Sequence, residues 1–115
     1  MPSKDPVQRF EDILENIALI QQFTAGMDLA AFMEDLKTYA AVERCLERLS
    51  EASKKLGEVA EELCPGIPWP EIRGLGNLLR HEYDRIEGFR LWYVVEDDLA
   101  PLQAAVTAAL QKLRE

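Results

Sequence analysis

The residues of this chain that are best suited to chemistry lie together between Ile72 and Ile86, in the segment IRGLGNLLRHEYDRI. This segment contains the only histidine of the chain, His81, together with Arg73 and Arg80. Because an unperturbed imidazole has a pKa of about 6.5, His81 can act as a general base near neutral pH. Guanidinium groups are permanent cations that bind phosphate through a planar fork of donors. Cleavage of RNA by its own 2′-hydroxyl requires such a base and such a cation, and needs no metal ion.

Helical spacing brings several of these residues onto one side of the segment. Arg73, Asn77 and His81 are spaced four apart, so on an α-helix they form one slowly drifting row. Arg80 directly precedes His81 and lies on the same face as Arg73, two turns away. Tyr83 adds a phenol that can stack on a base or serve as a nucleophile. We therefore select His81, Arg80, Arg73 and Asn77 as candidate catalytic residues.

A structural interpretation of the same residues stays open. A single histidine in a helix is often a surface residue or a hydrogen-bonded filler. Arg80 and Asp84 are four apart and would form an ordinary ion pair on a helix surface. The carboxylate pair Glu61-Glu62 lies on a polar face, where we expect solvated surface. Spacing alone does not choose between catalysis and structure.

The charge of the chain is uneven, and its most basic part coincides with the candidate segment. The 115 residues include 13 Lys and Arg against 21 Asp and Glu, a net charge of −8. Residues 72–90 contain four arginines against three carboxylates, a net charge of +1, so the other residues carry −9. Because gripping a long nucleic-acid duplex needs a broad basic surface, the composition argues against that function.

Composition and motifs exclude several other classes of protein. No apolar run approaches the roughly 18 residues of a membrane span, and the N-terminus has no apolar stretch typical of a secretory signal. We therefore expect a cytoplasmic protein without membrane contact. No zinc-type cysteine spacing, phosphate-binding glycine loop or HExxH motif is present, so we predict neither a metal nor a cofactor. Cys45 lies among apolar residues at helical spacing and is expected to be a buried thiol, while Cys64 precedes Pro65 at a helix end.

The rest of the sequence predicts the helices that must position the candidate segment. Apolar residues recur at spacings of three and four, and no stretch alternates with period two. We therefore expect an all-α protein, an up-and-down bundle of four to five helices in one domain covering residues 1–115. The first expected helix is capped by Asp5 and ended by Gly26, and a helical run from Asp28 to Leu63 is broken once near 33–37. The later elements are a helix from Trp69 to about Glu82, a loop through Gly88, a short helix near 91–96, and a last helix capped by Asp98.

Six stretches, taken in order, are similar to those of one known family. They are AVERCL at 41–46, SEAS at 50–53, IPW at 67–69, RGLGNLLRHEY at 73–83, Trp92, and DLAPL at 98–102. On these residues the chain resembles the HepT-like family, helical proteins of the HEPN superfamily found as toxins beside minimal nucleotidyltransferase antitoxins. The resemblance implies a homodimer with a composite, metal-independent RNA-cleaving site at the subunit interface. It also implies that Tyr83, in the His-x-Tyr motif, is the residue to which the partner transfers AMP.

The chain departs from the family's usual motif, which is arginine and asparagine followed by three residues and histidine. Gly76 stands at the arginine position, before the matching Asn77 and His81, and Arg80 stands where the family usually has an apolar residue. The catalytic arginine is therefore replaced by Arg80, supplied by Arg73, or absent.

Two functions from different classes follow. The first is an endoribonuclease toxin of a type VII-like toxin–antitoxin pair, with His81 as base, Arg80 or Arg73 on the phosphate, and Asn77 orienting the site. The second is a non-catalytic helical dimer that binds a nucleotidyltransferase partner and nucleotide. The acidic composition favours the second, because it provides little electrostatic steering of RNA, and the basic segment favours the first. Under both hypotheses the two helix-breaking residues Gly74 and Gly76, each costing about 1 kcal/mol relative to alanine, predict close packing or close approach of a partner.

Overall fold

The computed structural model of the protein describes residues 5–81 and 88–115. Within these ranges all regular structure is helical, which confirms the predicted all-α bundle. Four longer helices form the bundle, and three short ones connect them. The helices are α1 Pro6–Thr24, α2 Leu29–Glu34, α3 Leu36–Leu56, α4 Val59–Leu63, α5 Trp69–His81, α6 Gly88–Tyr93 and α7 Leu99–Arg114, with a π-helical stretch Val94–Asp98 between α6 and α7.

Aspartate side chains start the first three helices. The Asp5 carboxylate accepts a hydrogen bond from the Gln8 amide at 3.1 Å, and the Asp28 carboxylate accepts one from the Ala31 amide at 2.9 Å. These caps satisfy amides that have no partner inside the helix, and both confirm the prediction. Asp35 caps α3 in the same way, so the break between α2 and α3 falls inside the predicted window.

Two expected features near the C-terminal half are wrong. The Asp98 side chain makes no capping bond, because α7 continues directly from the π-helical stretch and Asp98 itself has helical backbone angles. Gly88 does not lie in a loop but begins α6, where it is buried beside α2. A Cβ at Gly88 would overlap the sulfur of Met33, so the close approach of the two short helices requires glycine there or movement of that side chain.

The core is built around α3, which packs against α1 on one side and α5 on another, while α1 also packs against α7. This central place follows from the apolar positions of α3, which recur at helical spacing and cover a wide stripe of its surface. The largest fully buried side chains are Phe10, Ile13, Ile17 and Ile20 of α1, Leu46, Leu49 and Leu56 of α3, Phe32, Trp69, Leu91 and Val106. In the part of the chain that the structure describes, no helix has the length and apolar character needed to cross a membrane.

A second break in the predicted run from Asp28 to Leu63 occurs at Gly57, between α3 and α4. Gly57 has a φ of 60° and a ψ of −143°, a combination that is sterically accessible to glycine and strained for other residues. This turn sends the chain away from the axis of α3 and places α4 beside the start of α5. The break was not predicted from the sequence, because the apolar spacing continues through it.

We expect Gly57→Ala to lower the free energy of unfolding by about 1–3 kcal/mol, because alanine is strained at a positive φ. The matched control is Gly74→Ala in the interior of α5, where an added Cβ would meet no atom within 4 Å and φ is not positive. That control should raise stability by up to about 1 kcal/mol, since alanine is the better helix former. Urea denaturation followed by circular dichroism measures both values, and a shift of the same sign in both variants would contradict this description of the turn.

Candidate functional site

All four candidate catalytic residues belong to one helix, α5, as the spacing predicted. Arg73 lies in its first half, and Asn77, Arg80 and His81 lie in its second half, with His81 as the last residue. The structure describes the side chain of Arg73, whereas those of Asn77, Arg80 and His81 fall outside the described part. Tyr83 lies outside the described residues altogether. What the structure shows is therefore how the helix that carries these residues is held.

The N-terminal end of α5 is anchored by Trp69. Its indole ring is fully buried, and its Nε1 donates a hydrogen bond to the Cys64 carbonyl at 3.0 Å. The connection from α4 turns at Gly66, whose φ of 89° is in the left-handed region. A buried indole that is satisfied by a backbone carbonyl fixes both the depth and the direction of the helix entrance.

The middle of α5 is joined to α3 by the hydroxyl group of Ser50. Ser50 is 1% exposed, and its Oγ donates to the Arg73 carbonyl at 2.9 Å and accepts from the Gly76 amide at 3.1 Å. One hydroxyl thus bonds two backbone groups within a single turn of the neighbouring helix. Gly76 is buried at this contact, as expected for close packing, whereas Gly74 faces open space.

The guanidinium group of Arg73 makes a second connection, to the turn that follows α3. It forms a two-point ion pair with Glu61 of α4, with Nη1–Oε2 and Nη2–Oε1 distances of 2.9 and 2.5 Å. Nη2 also donates to the Gly57 carbonyl at 2.8 Å, and Nε donates to the Ser53 carbonyl at 3.4 Å. The two carbonyls lie in the last turn of α3 and just after it, where a helix leaves backbone acceptors without partners. Arg73 therefore closes the C-terminal end of α3 and binds it to both α4 and α5.

This ion pair changes the protonation equilibria of both partners. The hydrogen bonds from Arg73 lower the pKa of the Glu61 carboxyl below its ordinary value of about 4.5. The same bonds raise the pKa of the Arg73 guanidinium above its ordinary value. Because the Arg73 side chain is 24% exposed and that of Glu61 is 46% exposed, the pair lies at the rim of the interface and not in the core.

The bonds of Arg73 bear on the question of which arginine could contact a phosphate. Its donors are already directed to a carboxylate and two carbonyls, so binding an RNA phosphate would require it to give up these partners. The structure therefore shows Arg73 holding α5 to α3 and α4, while the side chain of Arg80 falls outside the described part. Glu61, expected as solvated surface, is exposed and also forms half of this connection.

The residues that hold α5 were not predicted from the sequence, although a signal exists. Ser50, Ser53 and Gly57 are spaced three and four apart and form a row of small residues beside the apolar stripe of α3. Such a row allows a second helix to approach closely, and α5 occupies it. The partner of Arg73 carries no comparable signal, because Glu61 follows a break in the helix that the apolar pattern does not reveal.

The thiol groups of the two cysteines take no part in this arrangement. Both are free and buried, with 4% exposure for Cys45 and 3% for Cys64, which confirms the buried thiol expected at Cys45. Burial raises the pKa of each thiol above its ordinary value, so neither is activated as a thiolate. Among the residues that the structure describes, no three histidine, cysteine or carboxylate side chains cluster as metal ligands would.

The bundle of α1, α3, α5 and α7, with a polar connection holding the histidine-bearing helix, defines a class of small all-α protein. The chain matches the family described as "Ribonuclease HepT-like" over residues 13–109, and it belongs to that family. This confirms the resemblance drawn from the sequence.

Individual relatives agree with this assignment. A Thermococcus cleftensis protein named "Probable ribonuclease HepT" is 37% identical over 105 residues, covering 91% of this chain and 92% of the relative. A Methanocaldococcus jannaschii protein named "Putative RNase" is 35% identical over 105 residues, covering 90% of this chain and 96% of the relative. A second M. jannaschii protein with that designation is 39% identical over 95 residues, covering 83% of this chain and 78% of the relative. No solved structure matches the chain.

The ion pair between Arg73 and Glu61 predicts a specific dependence of stability on pH. A carboxylate whose pKa is lowered by folding stabilises the fold above its unfolded pKa, and this contribution disappears as pH falls through the folded pKa. Glu61→Gln should therefore destabilise the protein at pH 7, and its difference from the wild type should shrink as the pH falls below about 4.5. Urea denaturation between pH 3 and 7 measures this difference.

The control for this prediction is Glu62→Gln, which removes the neighbouring carboxylate of α4. Among the described residues, the Glu62 side chain contacts no cation, so this variant should follow the wild-type curve. Equal effects of the two substitutions would show that the Arg73 contact contributes nothing specific to stability.

Proposed function

We propose that this protein is a metal-independent endoribonuclease and the toxin of a type VII-like toxin–antitoxin pair that acts in the cytoplasm. The observation that carries the proposal is the family match over residues 13–109, which includes the whole of α5 with Asn77 and His81. Relatives that cover most of their own length are named as ribonucleases. The held position of α5 supports the same conclusion, because an RNA-cleaving site needs its base on a rigid element.

The chemistry assigned to the site is transesterification. The imidazole of His81 takes the proton from a 2′-hydroxyl, the 2′-oxygen forms a bond to the adjacent phosphorus, and the bond from phosphorus to the 5′-oxygen breaks. The leaving 5′-oxygen gains a proton, and the RNA is left with a 2′,3′-cyclic phosphate. Arg80 binds the phosphate and stabilises the charge that grows on it, and Asn77 orients the site. No water molecule or metal ion enters this step.

A homodimer resolves the geometric conflict between Arg80 and His81. Consecutive residues of a helix project about 100° apart, so one protomer does not direct both side chains at one phosphate from an undistorted helix. A two-fold axis beside α5 would bring Arg80 of one subunit toward His81 of the other.

The proposed partner is a minimal nucleotidyltransferase that acts as antitoxin by transferring AMP to Tyr83. Tyr83 lies two residues beyond His81, so an AMP group there would add a phosphate and a nucleotide beside the base. That group would occupy the space of the RNA phosphate and repel it electrostatically. Modification of the phenol would therefore switch off cleavage.

The second candidate function is a non-catalytic dimer that binds the nucleotidyltransferase and nucleotide. The observation that favours it is the loss of arginine at the position occupied by Gly76, together with the net charge of −8. Under this hypothesis Arg73 and Ser50 only stabilise the bundle, and His81 has no chemical task.

We expect His81→Ala to abolish cleavage of a single-stranded RNA in the presence of EDTA, because the general base is lost. Arg80→Ala should reduce the rate by about 100-fold or more, and Arg73→Ala should reduce it less, since Arg73 acts through the fold. A 1:1 mixture of the His81 and Arg80 variants, exchanged into hybrid dimers, should recover about a quarter of the wild-type activity if the site is composite.

The matched control for these variants is Arg90→Ala, which removes an exposed arginine of the same basic region from α6. It should leave the cleavage rate within about twofold of wild type, since a single exposed cation contributes little. Full activity of His81→Ala would show that His81 is not the base, and absence of cleavage by the wild type would support the non-catalytic hypothesis. Absence of recovery in the hybrid dimers would place both groups in one subunit.

Incubation with the nucleotidyltransferase partner and ATP should add at least one AMP mass to the wild-type protein and none to Tyr83→Phe. The phenylalanine variant keeps the ring and lacks the oxygen that receives the nucleotide. Tyr93→Phe, a change in an exposed tyrosine of α6, is the control and should be labelled like the wild type. Intact-mass spectrometry distinguishes these cases, and undiminished labelling of Tyr83→Phe would assign the modification to another residue.

A further inference from the structure

The hydroxyl of Ser50 is placed to control more than the stability of the bundle. It bonds the Arg73 carbonyl and the Gly76 amide, two groups on one side of α5 and three residues apart. In an α-helix the carbonyl of residue 73 also receives the amide of residue 77, and the carbonyl of residue 77 receives the amide of residue 81. Ser50 therefore bonds backbone groups of the same hydrogen-bonded helix segment that carries Asn77 and His81.

Rotation of α5 about its own axis is what these two bonds restrain. Apolar contacts tolerate sliding and small rotations, whereas a hydroxyl that bonds both a donor and an acceptor permits only a narrow range of angles. Side-chain directions in a helix follow from the backbone, so the rotational setting of α5 decides where residues 77 and 81 project. The Arg73 side chain also holds α5, through its bonds to Glu61 and the end of α3, but these bonds lie at the solvent-facing rim. The Ser50 hydroxyl, in contrast, is buried.

Ser53 shows that this contact is specific to Ser50. It is the next serine on α3, is 0% exposed, and its Oγ donates at 2.9 Å to the Leu49 carbonyl of its own helix. The Ser53 hydroxyl therefore finds its hydrogen-bond acceptor within its own helix, as is common for serine inside helices. Two equally buried serines one turn apart on α3 therefore differ in whether the hydroxyl crosses to α5.

We propose that Ser50 is a positioning residue, which sets the rotation of α5 and through it the placement of Asn77 and His81 for RNA cleavage. The inference rests on the proposed ribonuclease function. Ser50 does not contact RNA and is buried beneath the helix, so its contribution comes entirely through α5. A misplacement of reacting groups by about 1 Å can lower the rate about 100-fold, so loss of a restraint on helix rotation should have a large effect on the rate of cleavage.

The test compares Ser50→Ala, Ser50→Cys and Ser53→Ala in the full chain, at a temperature where all variants are folded. Hydrogen exchange of the Gly76 amide, measured by NMR, reports the Ser50 contact without any catalysis. Steady-state cleavage of one RNA in EDTA gives kcat and KM separately. Ser53→Ala is the matched control, because it removes an equally buried hydroxyl of the same helix.

In Ser50→Ala we expect exchange of the Gly76 amide to rise about threefold to tenfold, as for loss of one ordinary hydrogen bond. The same variant should lose about tenfold to 100-fold in kcat with KM within about twofold, since placement of the reacting groups is altered and RNA binding is not. Ser50→Cys, which keeps the size and a weak hydrogen-bonding group, should lie between Ser50→Ala and wild type. Ser53→Ala should match the wild type in Gly76 exchange and in kcat, within about twofold.

The outcomes distinguish failure of the positioning role from failure of the ribonuclease function. If the wild type cleaves RNA and Ser50→Ala keeps its kcat, or if both serine variants lose kcat equally, the positioning role is overturned and the ribonuclease function stands. Unchanged Gly76 exchange in Ser50→Ala would also overturn it. If the wild-type protein cleaves no RNA, the proposed function itself fails and the catalytic role of Ser50 fails with it.

Discussion

The contact between α3 and α5 is the constraint on which the rest of the structure depends. Apolar packing brings the two helices together, and three polar attachments fix the position of α5. The indole of Trp69 anchors the entrance of α5, the Ser50 hydroxyl bonds its middle, and Arg73 ties it to the end of α3 and to Glu61. Each attachment includes a hydrogen bond to a backbone carbonyl. The polar groups are therefore satisfied by the same bonds that define the position of α5.

This arrangement explains how a small acidic protein can offer a defined site. The attachments hold α5 from its start to Gly76, and the proposed site residues Asn77 and His81 follow on the same helix. Helix α3 is suited to the supporting role because its apolar stripe packs against α1 while its row of small residues receives α5. The turn at Gly57 belongs to the same arrangement, since it places Glu61 where Arg73 can reach it.

Much of the fold, and less of the site, could be predicted from the sequence. Helical periodicity and the caps at Asp5 and Asp28 identify the helices, because these are local properties. The break at Gly57 and the helical start at Gly88 were not predicted, since each depends on contacts with distant segments. Motif similarity predicts Asn77 and His81 as site residues, whereas the contacts of Ser50 and Glu61 are visible only when α3, α4 and α5 are placed together. Arg73, chosen for its charge and spacing, is held by groups that no local pattern indicates.

The central claim is that a base on α5 uses the RNA's own 2′-hydroxyl to cleave it. The most direct measurement is cleavage, by the purified protein in EDTA, of two oligonucleotides of identical sequence, one of ordinary RNA and one with 2′-O-methyl groups throughout. The account predicts that only the ordinary RNA is cut and that its fragments carry 2′,3′-cyclic phosphate ends. Cleavage of the methylated strand, fragments with 5′-phosphate and 3′-hydroxyl ends, or no cleavage of either strand would contradict it.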